Sequence, residues 1–240
     1  MAISHVASGA APTPVASGNL EAAYPGGGST PQINDIAVLD AYARDNVPIS
    51  LPGDWSIKSA GNNGAASRLT VAWKRFAEGD VDTSVLLTHA AGGTLYARVH
   101  VFRGVITTGD PWEAVAGPNG AAAADPQTLT PASLETVTPG AGLVLVGGLA
   151  DDAATASNHF AITNAQGLEW AELEDMETTV GIDLACSTYF ALKASAGVQA
   201  GPTISVDPTA AAVGQSWMGA LTPQATPPAR GSLSLLGVGR

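Results

Sequence analysis

The strongest constraint on the fold is a two-residue alternation of apolar and polar side chains, which recurs along the chain between turn-forming residues. In Arg68–Phe76, for example, Leu69, Val71 and Trp73 fall on one face, and mainly polar or small residues fall on the other. This period is that of a β-strand that is half-buried in a sheet. No amphipathic pattern of helical period extends over about twelve residues. The sequence therefore predicts an all-β protein.

The number and spacing of the strands favour a jelly-roll-like antiparallel β-sandwich. Gly142–Leu149 is a continuous apolar run, which is typical of a strand buried on both faces. A short helix at 121–124 or 131–135 is also compatible with the sequence. The predicted strands, separated by Gly, Pro, Asn and Asp, are Ile3–Ala7, Ile36–Arg44, Arg68–Phe76, Val81–Thr88, Leu95–Val105, Gly142–Leu149, Leu168–Leu173, Ile182–Lys193, Thr203–Val206 and Val213–Leu221.

The two ends of the chain differ in composition from its middle. Residues 1–32 are poor in charge and rich in small residues and Pro, and residues 222–240 contain three prolines and the apolar segment Ser232–Gly239. We therefore expect an extended N-terminal arm (1–32), a sandwich domain (33–221) and an extended C-terminal tail (222–240). Exposed apolar arms are a liability on a free monomer, so we expect them to lie on neighbouring molecules. Two frayed termini are the alternative.

Charge and cysteine content exclude several classes of protein. Ten Lys and Arg against 21 Asp and Glu give a net charge of −11, which argues against binding to nucleic acid because such binding needs basic patches. No stretch of about 18 apolar residues predicts a membrane span, so no membrane partner is expected. The lone Cys186 excludes an intrachain disulfide and a cysteine-based zinc site.

An ordered set of motifs runs through the middle of the chain. It comprises Ala43-Arg44-Asp45, Leu51-Pro52-Gly53-Asp54-Trp55-Ser56, the strand Ser67–Arg75 with Trp73-Lys74-Arg75 at its end, and Val101-Phe102-Arg103-Gly104-Val105 followed by Asp110-Pro111. This set resembles the β-sandwich domain of accessory structural proteins in tailed bacteriophages and prophages. Those proteins often share a strand ending in Trp/Tyr–Lys/Arg–Arg and another ending in Phe/Tyr-Arg-Gly-Val. The resemblance covers roughly residues 33–221 and implies a structural role on a virion, in the head or in the tail.

From this resemblance and the arms we predict a non-enzymatic structural component of a tailed-phage virion, either a decoration protein or a tail accessory protein. The acidic balance favours a place on the exterior surface, away from DNA. The segment Met1–His5 lacks the features of a signal peptide, so synthesis in the host cytoplasm is expected. The expected partners are major capsid or tail subunits, with the chain in a homo-oligomer or symmetric array.

A carbohydrate- or receptor-binding module is an alternative with a different kind of partner. Sandwich domains commonly display loops that bind glycans, and Trp112 or Trp170 could serve as a stacking platform for a host-surface sugar. The loops at 117–125 and 151–164 are long enough to contribute.

The sequence offers no convincing catalytic, cofactor or metal site. His5, His89, His100 and His159 are dispersed without metal-ligand spacing, and the alternation around His100 predicts that its side chain faces solvent. Ser216 lies in a segment one residue too long for a Gly-x-Ser-x-Gly elbow, so we expect an ordinary strand residue. No glycine-rich phosphate loop supports a nucleotide cofactor.

One acidic segment, 172–177, leaves a weaker enzymatic alternative open. Jelly-roll glycoside hydrolases carry a Glu-x-Asp-x-x-Glu strand, in which the first carboxylate is the nucleophile and the last is the general acid. Glu172 and Glu177 match the outer positions, but Glu174 stands where that family has Asp. A solvated acidic edge is the simpler interpretation. A cation site, for Ca²⁺ for example, is a third one, using these carboxylates or Asp151 and Asp152.

Overall fold

In the computed structural model the chain is described at residues 2–90, 92–150, 160–181, 183–208 and 211–225. The first half forms β1 (Ser4–Ser8), β2 (Leu20–Ala23), β3 (Ile36–Ala43), β4 (Ile49–Ser50), β5 (Ser56–Asn63), β6 (Ser67–Arg75), β7 (Ser84–His89) and β8 (Leu95–Arg103). The second half forms β9 (Trp112–Ala124), β10 (Gln127–Leu129), β11 (Leu134–Thr136), β12 (Ala141–Ala150), β13 (Ala161–Asn164), β14 (Ala171–Thr178), β15 (Leu184–Lys193), β16 (Gly197–Gln199), β17 (Thr203–Val206) and β18 (Ala212–Leu221).

The prediction of an all-β sandwich is confirmed. The only helical element in the described residues is a 3-10 turn at Gly27–Ser29. The helices considered at 121–124 and 131–135 are wrong, since those residues fall largely in β9 and β11. In the described part of the chain, no helix is long and apolar enough to cross a bilayer.

Two five-stranded antiparallel sheets form the centre of the sandwich, and each is built from one half of the chain. The first sheet has the order β1-β8-β3-β6-β5, and the second has the order β14-β15-β12-β18-β9. A small sheet, β2-β7-β4, covers the outer face of the first, while β10-β17-β13 and the ribbon β11-β16 cover the second. The molecule is therefore layered, with an apolar core between each pair of layers.

Central strands are buried on both faces because each central sheet lies between two other layers. On β3, Val38 and Tyr42 point into the central core between the two sheets, whereas Leu39 packs on the outer side of the first sheet. On β12, Val144 points into the central core and Leu145 points to the outer one. This burial explains the continuous apolar run at Gly142–Leu149, since neither face of that strand contacts solvent.

The N-terminal residues are part of the sandwich, which corrects the expectation of an extended arm. β1 pairs with β8 as a strand of the first sheet, and Ile3 is buried in the central core. β2 pairs with β7 in the small sheet, and Leu20 is buried in the core between that sheet and the first central sheet. The small, uncharged residues of this segment fit close to neighbouring backbone, as at Gly9, where a Cβ would lie 1.8 Å from the carbonyl oxygen of Ala23.

The C-terminal tail lies mostly outside the described residues, which end at Ala225. Its first residues continue from β18 along the end of β8, where the Ile106 amide donates to the Thr222 carbonyl (3.0 Å) and the Gln224 amide donates to the Gly104 carbonyl (2.7 Å). Residues 226–240, including the apolar segment, are not described.

The two central sheets are closed against each other at the edge formed by β5 and β9. Asn63 on β5 donates to the carbonyl of Ala121 (2.7 Å), and Ser59 donates to that of Gly117 (3.0 Å). These hydrogen bonds fasten one side of the sandwich. On the side of the edge strands β1 and β14, polar side chains of the central core join the two sheets, as Tyr96 and Glu174 do.

Candidate functional site

The candidate site is a polar cluster buried in the central core, and three strands supply it. Asp40 lies on β3 two positions from both Val38 and Tyr42, which point into the central core. The alternation of the strand therefore directs the Asp40 side chain inward as well. On β8, His100 is paired with Val38 of β3 and shares its face. Glu174 comes from β14 of the second sheet. All three are buried, with exposed fractions of 2%, 0% and 4% respectively.

A β-bulge places Glu174 in this core. The register of β14 against β15 shifts between Glu172 and Glu174, and from that point Glu174 lies opposite Thr188 and Met176 opposite Cys186. Met176 and Cys186 contact the central core, so Glu174, two residues before Met176, is on the same inward face. The bulge thus turns a carboxylate of an acidic edge strand away from solvent and towards β8.

The three side chains meet at their polar atoms. His100 Nε2 lies 2.9 Å from Asp40 Oδ1 and 3.6 Å from Glu174 Oε2. The other carboxylate oxygen of Glu174 accepts a hydrogen bond from the Tyr96 hydroxyl and lies 3.3 Å from Arg98 Nη1. Since Tyr96 and Arg98 are also on β8, one strand holds this carboxylate from one side with three consecutive inward-facing residues.

Ser8 and His5 form a chain of hydrogen bonds with Nδ1 of His100, the ring nitrogen that points away from the two carboxylates. Ser8 Oγ lies 2.7 Å from His100 Nδ1, and His5 Nε2 lies 3.2 Å from the same Ser8 oxygen. Burial lowers the pKa of His5 to about 4, with the charge of His100 acting in the same direction. A neutral His5 can accept the Ser8 proton, so that Ser8 Oγ accepts from the N–H at Nδ1 of His100.

The carboxylates of the cluster shift the pKa values of neighbouring groups on both sheets. Burial lowers the pKa of His100, but the nearby negative charges of Asp40 and Glu174 outweigh this effect and raise it to about 9. Burial also raises the pKa of Cys186, and the negative charge of Glu174 adds to that effect. In the absence of any other cation, His100 is therefore an imidazolium that bridges a carboxylate from each sheet.

The expectation that His100 faces solvent was wrong. Its side chain is fully buried, because β8 is covered on both faces and has no solvent side. The signal that could have pointed to the cluster is Asp40, a charged residue within the otherwise apolar strand Ile36–Ala43. His89 is also buried and contacts Asp45 (3.1 Å) away from this cluster. His159 lies outside the described residues.

The structure separates the carboxylates that the hydrolase interpretation needs together. Glu172 and Glu177 lie opposite Tyr189 and Ala185, which face the outer core, while Glu174 faces the central one. These two partners are four positions apart along β15, or about 14 Å at about 3.4 Å per residue. Glycosidase carboxylates stand about 5–9.5 Å apart. This strand therefore does not present the three-carboxylate arrangement.

The series Ser8, His100 and Asp40 has the residue types of a serine-hydrolase triad, but its geometry differs. In such a triad the serine bonds to Nε2 and the aspartate to Nδ1, whereas the two nitrogens are interchanged here. Ser216, the other serine considered, is a buried residue of β18.

The residues proposed for glycan stacking are not free platforms. Trp112 is buried in the central core and packs edge-on against Trp217, with ring centroids 5.2 Å apart. Trp170 is half-buried, and its indole N–H donates to the Ala165 carbonyl (3.1 Å). The loop predicted at 117–125 is mainly part of β9, and Asp151 and Asp152, considered for a cation, lie outside the described residues.

The motifs that carry the resemblance make scaffold contacts at strand ends. Arg103 holds the buried carboxylate of Asp35 through two hydrogen bonds, from Nε (2.9 Å) and Nη2 (2.7 Å). Lys74 is 3% exposed and pairs with Asp54 at 2.5 Å. Gly104 adopts a φ of 83°, where a Cβ would lie 2.4 Å from the Ala2 carbonyl oxygen. Each of these residues fixes a turn or a strand end.

Comparison of the chain with protein-family models, with curated proteins and with solved structures found no match.

Proposed function

We propose that this chain is a non-enzymatic structural component of a tailed-phage virion, a head decoration or tail accessory protein, that lies on the exterior and docks on neighbouring subunits. The observation that carries the structural, non-enzymatic role is the burial of the polar cluster. Asp40, His100 and Glu174 are each at most 4% exposed, and they join the two central sheets, between which no strands pair in the described residues. Chemistry on a substrate needs an accessible group, whereas a sealed cross-link serves rigidity.

The surface depressions of the described residues support the same interpretation. A depression of about 530 Å³ is lined by residues between Pro31 and Asp80, and another of about 560 Å³ is lined by residues between Gly167 and Ala194. Neither includes a member of the polar cluster. The residues that resemble phage structural proteins, among them Lys74 and Arg103, also hold the scaffold together through ion pairs with Asp54 and Asp35.

The N-terminal segment cannot serve for docking on a neighbouring subunit, because its strands β1 and β2 belong to the chain's own sheets. The ribbon β11-β16 offers a described surface instead. Val198 on β16 and Val137, which directly follows β11, are 69% and 72% exposed, and Val198 lies opposite Glu135 in the ribbon register. Two valines on the outermost layer are suited to contact with an apolar patch of a neighbouring subunit. Repetition in a symmetric array would add avidity to a small contact.

The direct test is to look for the protein in particles. Phage particles from the organism that encodes the chain are purified on a density gradient, and their proteins are quantified by mass spectrometry. We expect the chain in the particle fraction, in a fixed ratio to the major capsid or tail-tube subunit. Its presence in the lysate together with its absence from intact particles would overturn the proposal.

A pair of variants tests the docking surface. Val137→Asp combined with Val198→Asp places two charges on the ribbon, and incorporation into particles should fall while circular dichroism stays unchanged. Val81→Asp is the matched control, since Val81 is 84% exposed in the turn before β7. Equal incorporation of both proteins would rule out the ribbon as the docking surface, without excluding the protein from the virion.

A further inference from the structure

We propose that Asp40, His100 and Glu174 form a binding site for one divalent transition-metal ion, Zn²⁺ or Mn²⁺, which ties the two central sheets together. Each residue brings one ligand atom, and the three ligand atoms lie within 4.8 Å of one another. A site of this kind goes beyond the proposed function, since it concerns how the scaffold is stabilised and is independent of where the protein resides.

The atoms that face one another lack aligned hydrogen bonds. Asp40 Oδ1, His100 Nε2 and Glu174 Oε2 are fully buried, and none has a hydrogen-bond partner in the described structure. The 2.9 Å contact between Nε2 and Oδ1 is close but not aligned for a hydrogen bond. Leaving buried polar groups unpaired costs about 1–3 kcal/mol for each group. A cation bound between these three atoms would remove that cost, because each atom would then have a ligand bond.

The outer atoms of the same residues are, in contrast, well held. Ser8 contacts Nδ1 of His100, and Tyr96 and Arg98 hold the outer oxygen of Glu174. Metal-binding histidines almost always donate their other ring N–H to a neighbouring acceptor, and ligating carboxylates are themselves hydrogen-bonded. With Ser8 accepting from Nδ1, the lone pair of Nε2 can point at a metal.

The distances suit a small cation. Ligands bound to zinc at about 2.0–2.1 Å in a tetrahedron lie about 3.3 Å from one another, and octahedral neighbours lie about 3.0 Å apart. The separations from Nε2 are 2.9 and 3.6 Å, close to these values. One imidazole nitrogen and two carboxylate oxygens favour Zn²⁺ or Mn²⁺ over Ca²⁺, which prefers oxygen ligands alone.

Two carboxylates give the site a negative charge that attracts a cation. Asp40 and Glu174 bring these charges into the core, and Arg98 contacts Glu174 through Oε1, the oxygen that does not face His100. Because the site is sealed, the ion would enter as the chain folds and exchange slowly, as structural metals do.

The test loads the full chain with metal and measures what stays bound. Wild-type protein is refolded with Zn²⁺ or Mn²⁺, passed through gel filtration and analysed for metal content, with Co²⁺ as a spectroscopic probe of nitrogen and oxygen ligation. We expect about one ion per chain. Asp40→Asn and Glu174→Gln should each retain at least about tenfold less. Asp35→Asn is the matched control, a buried carboxylate that pairs with Arg103, and should retain the wild-type amount.

Ser8→Ala keeps all three ligands, so it tests the site even if the ligand variants fail to fold. It should weaken Co²⁺ binding by about 10–100-fold, because the ring of His100 loses its outer partner. A wild-type protein that folds but retains no Zn²⁺, Mn²⁺ or Co²⁺ would overturn the proposal and leave a proton on His100 as the only bridge. Equal retention by wild type, Asp40→Asn and Glu174→Gln would place any bound metal elsewhere and overturn it as well.

Discussion

The hydroxyl of Tyr96 on the first sheet donates a hydrogen bond to the buried carboxylate of Glu174 on the second sheet. This contact joins two layers that are built from different halves of the chain. Together with Arg98, it stabilises a carboxylate that is buried in the central core.

The first prediction tests this link. Tyr96→Phe keeps the ring but leaves Glu174 without one donor, so we expect the free energy of unfolding to fall by about 1–3 kcal/mol in urea titrations. Tyr42→Phe is the control, because the Tyr42 hydroxyl is buried in the same core without an aligned partner. Equal losses in the two variants would show that the contact with Glu174 adds nothing.

A second prediction concerns the close approach of the two sheets at Gly148. A Cβ at this position would lie 2.4 Å from Cε2 of Tyr42, so it would clash with the ring unless the ring moved. Gly148→Ala should therefore destabilise the protein by about 1–3 kcal/mol, even though alanine suits a strand better than glycine. Gly26→Ala, where no atom lies within 4 Å of the added Cβ, should change stability by less than about 0.5 kcal/mol. Thermal or urea unfolding of both variants distinguishes these outcomes.

The strands that the sequence predicted are those whose own side chains reach a core. Thr203–Val206 was placed at its observed bounds, and Ile36–Arg44 was one residue too long. β5 and β9 were missed because their residues are polar, small or Gly- and Pro-containing. They are strands because β6 and β18 offer them hydrogen-bonding edges, which is a tertiary effect that local pattern does not reveal.

The polar cluster depends on pairing between distant strands, and for that reason the sequence did not reveal it. Asp40, His100 and Glu174 are far apart in the chain, and only the order of the sheets brings them together. The bulge that turns Glu174 inward depends on the register of β14 with β15. The acidic segment was recognised as unusual, but which of its carboxylates is buried could not be read from residue types.

A third prediction follows from the place of the N-terminal residues in the fold. Ile3 is 1% exposed and packs over Gly142 in the central core, so Ile3→Ala should cost about 2–5 kcal/mol of stability. Ile33, which is 58% exposed, is the matched control, and Ile33→Ala should cost less than about 0.5 kcal/mol. A loss at Ile3 no larger than at Ile33 would restore the interpretation of residues 1–32 as an arm.

The last prediction concerns acid stability and His5. The pKa of His5 is lowered from 6.5 to about 4, first by burial and then by the charges of His100 and Arg98, while a hydrogen bond with Ala7 opposes the shift. Between these two values the unfolded chain binds the extra proton, so His5 makes the fold less stable as the pH falls from about 6.5 towards 4.

His5→Gln removes this titration and should flatten the decline in stability across that interval, relative to wild type. Unfolding is measured in urea at several pH values with a chelator present, so that release of metal does not contribute to the slope. The His5 ring lies against Phe102 and contacts Ser8, and glutamine can keep a hydrogen bond to the serine. Parallel profiles for the two proteins would mean that His5 is protonated as easily in the folded chain as in the unfolded one, and the direction of the Ser8 hydrogen bonds assigned above would then have to be reversed.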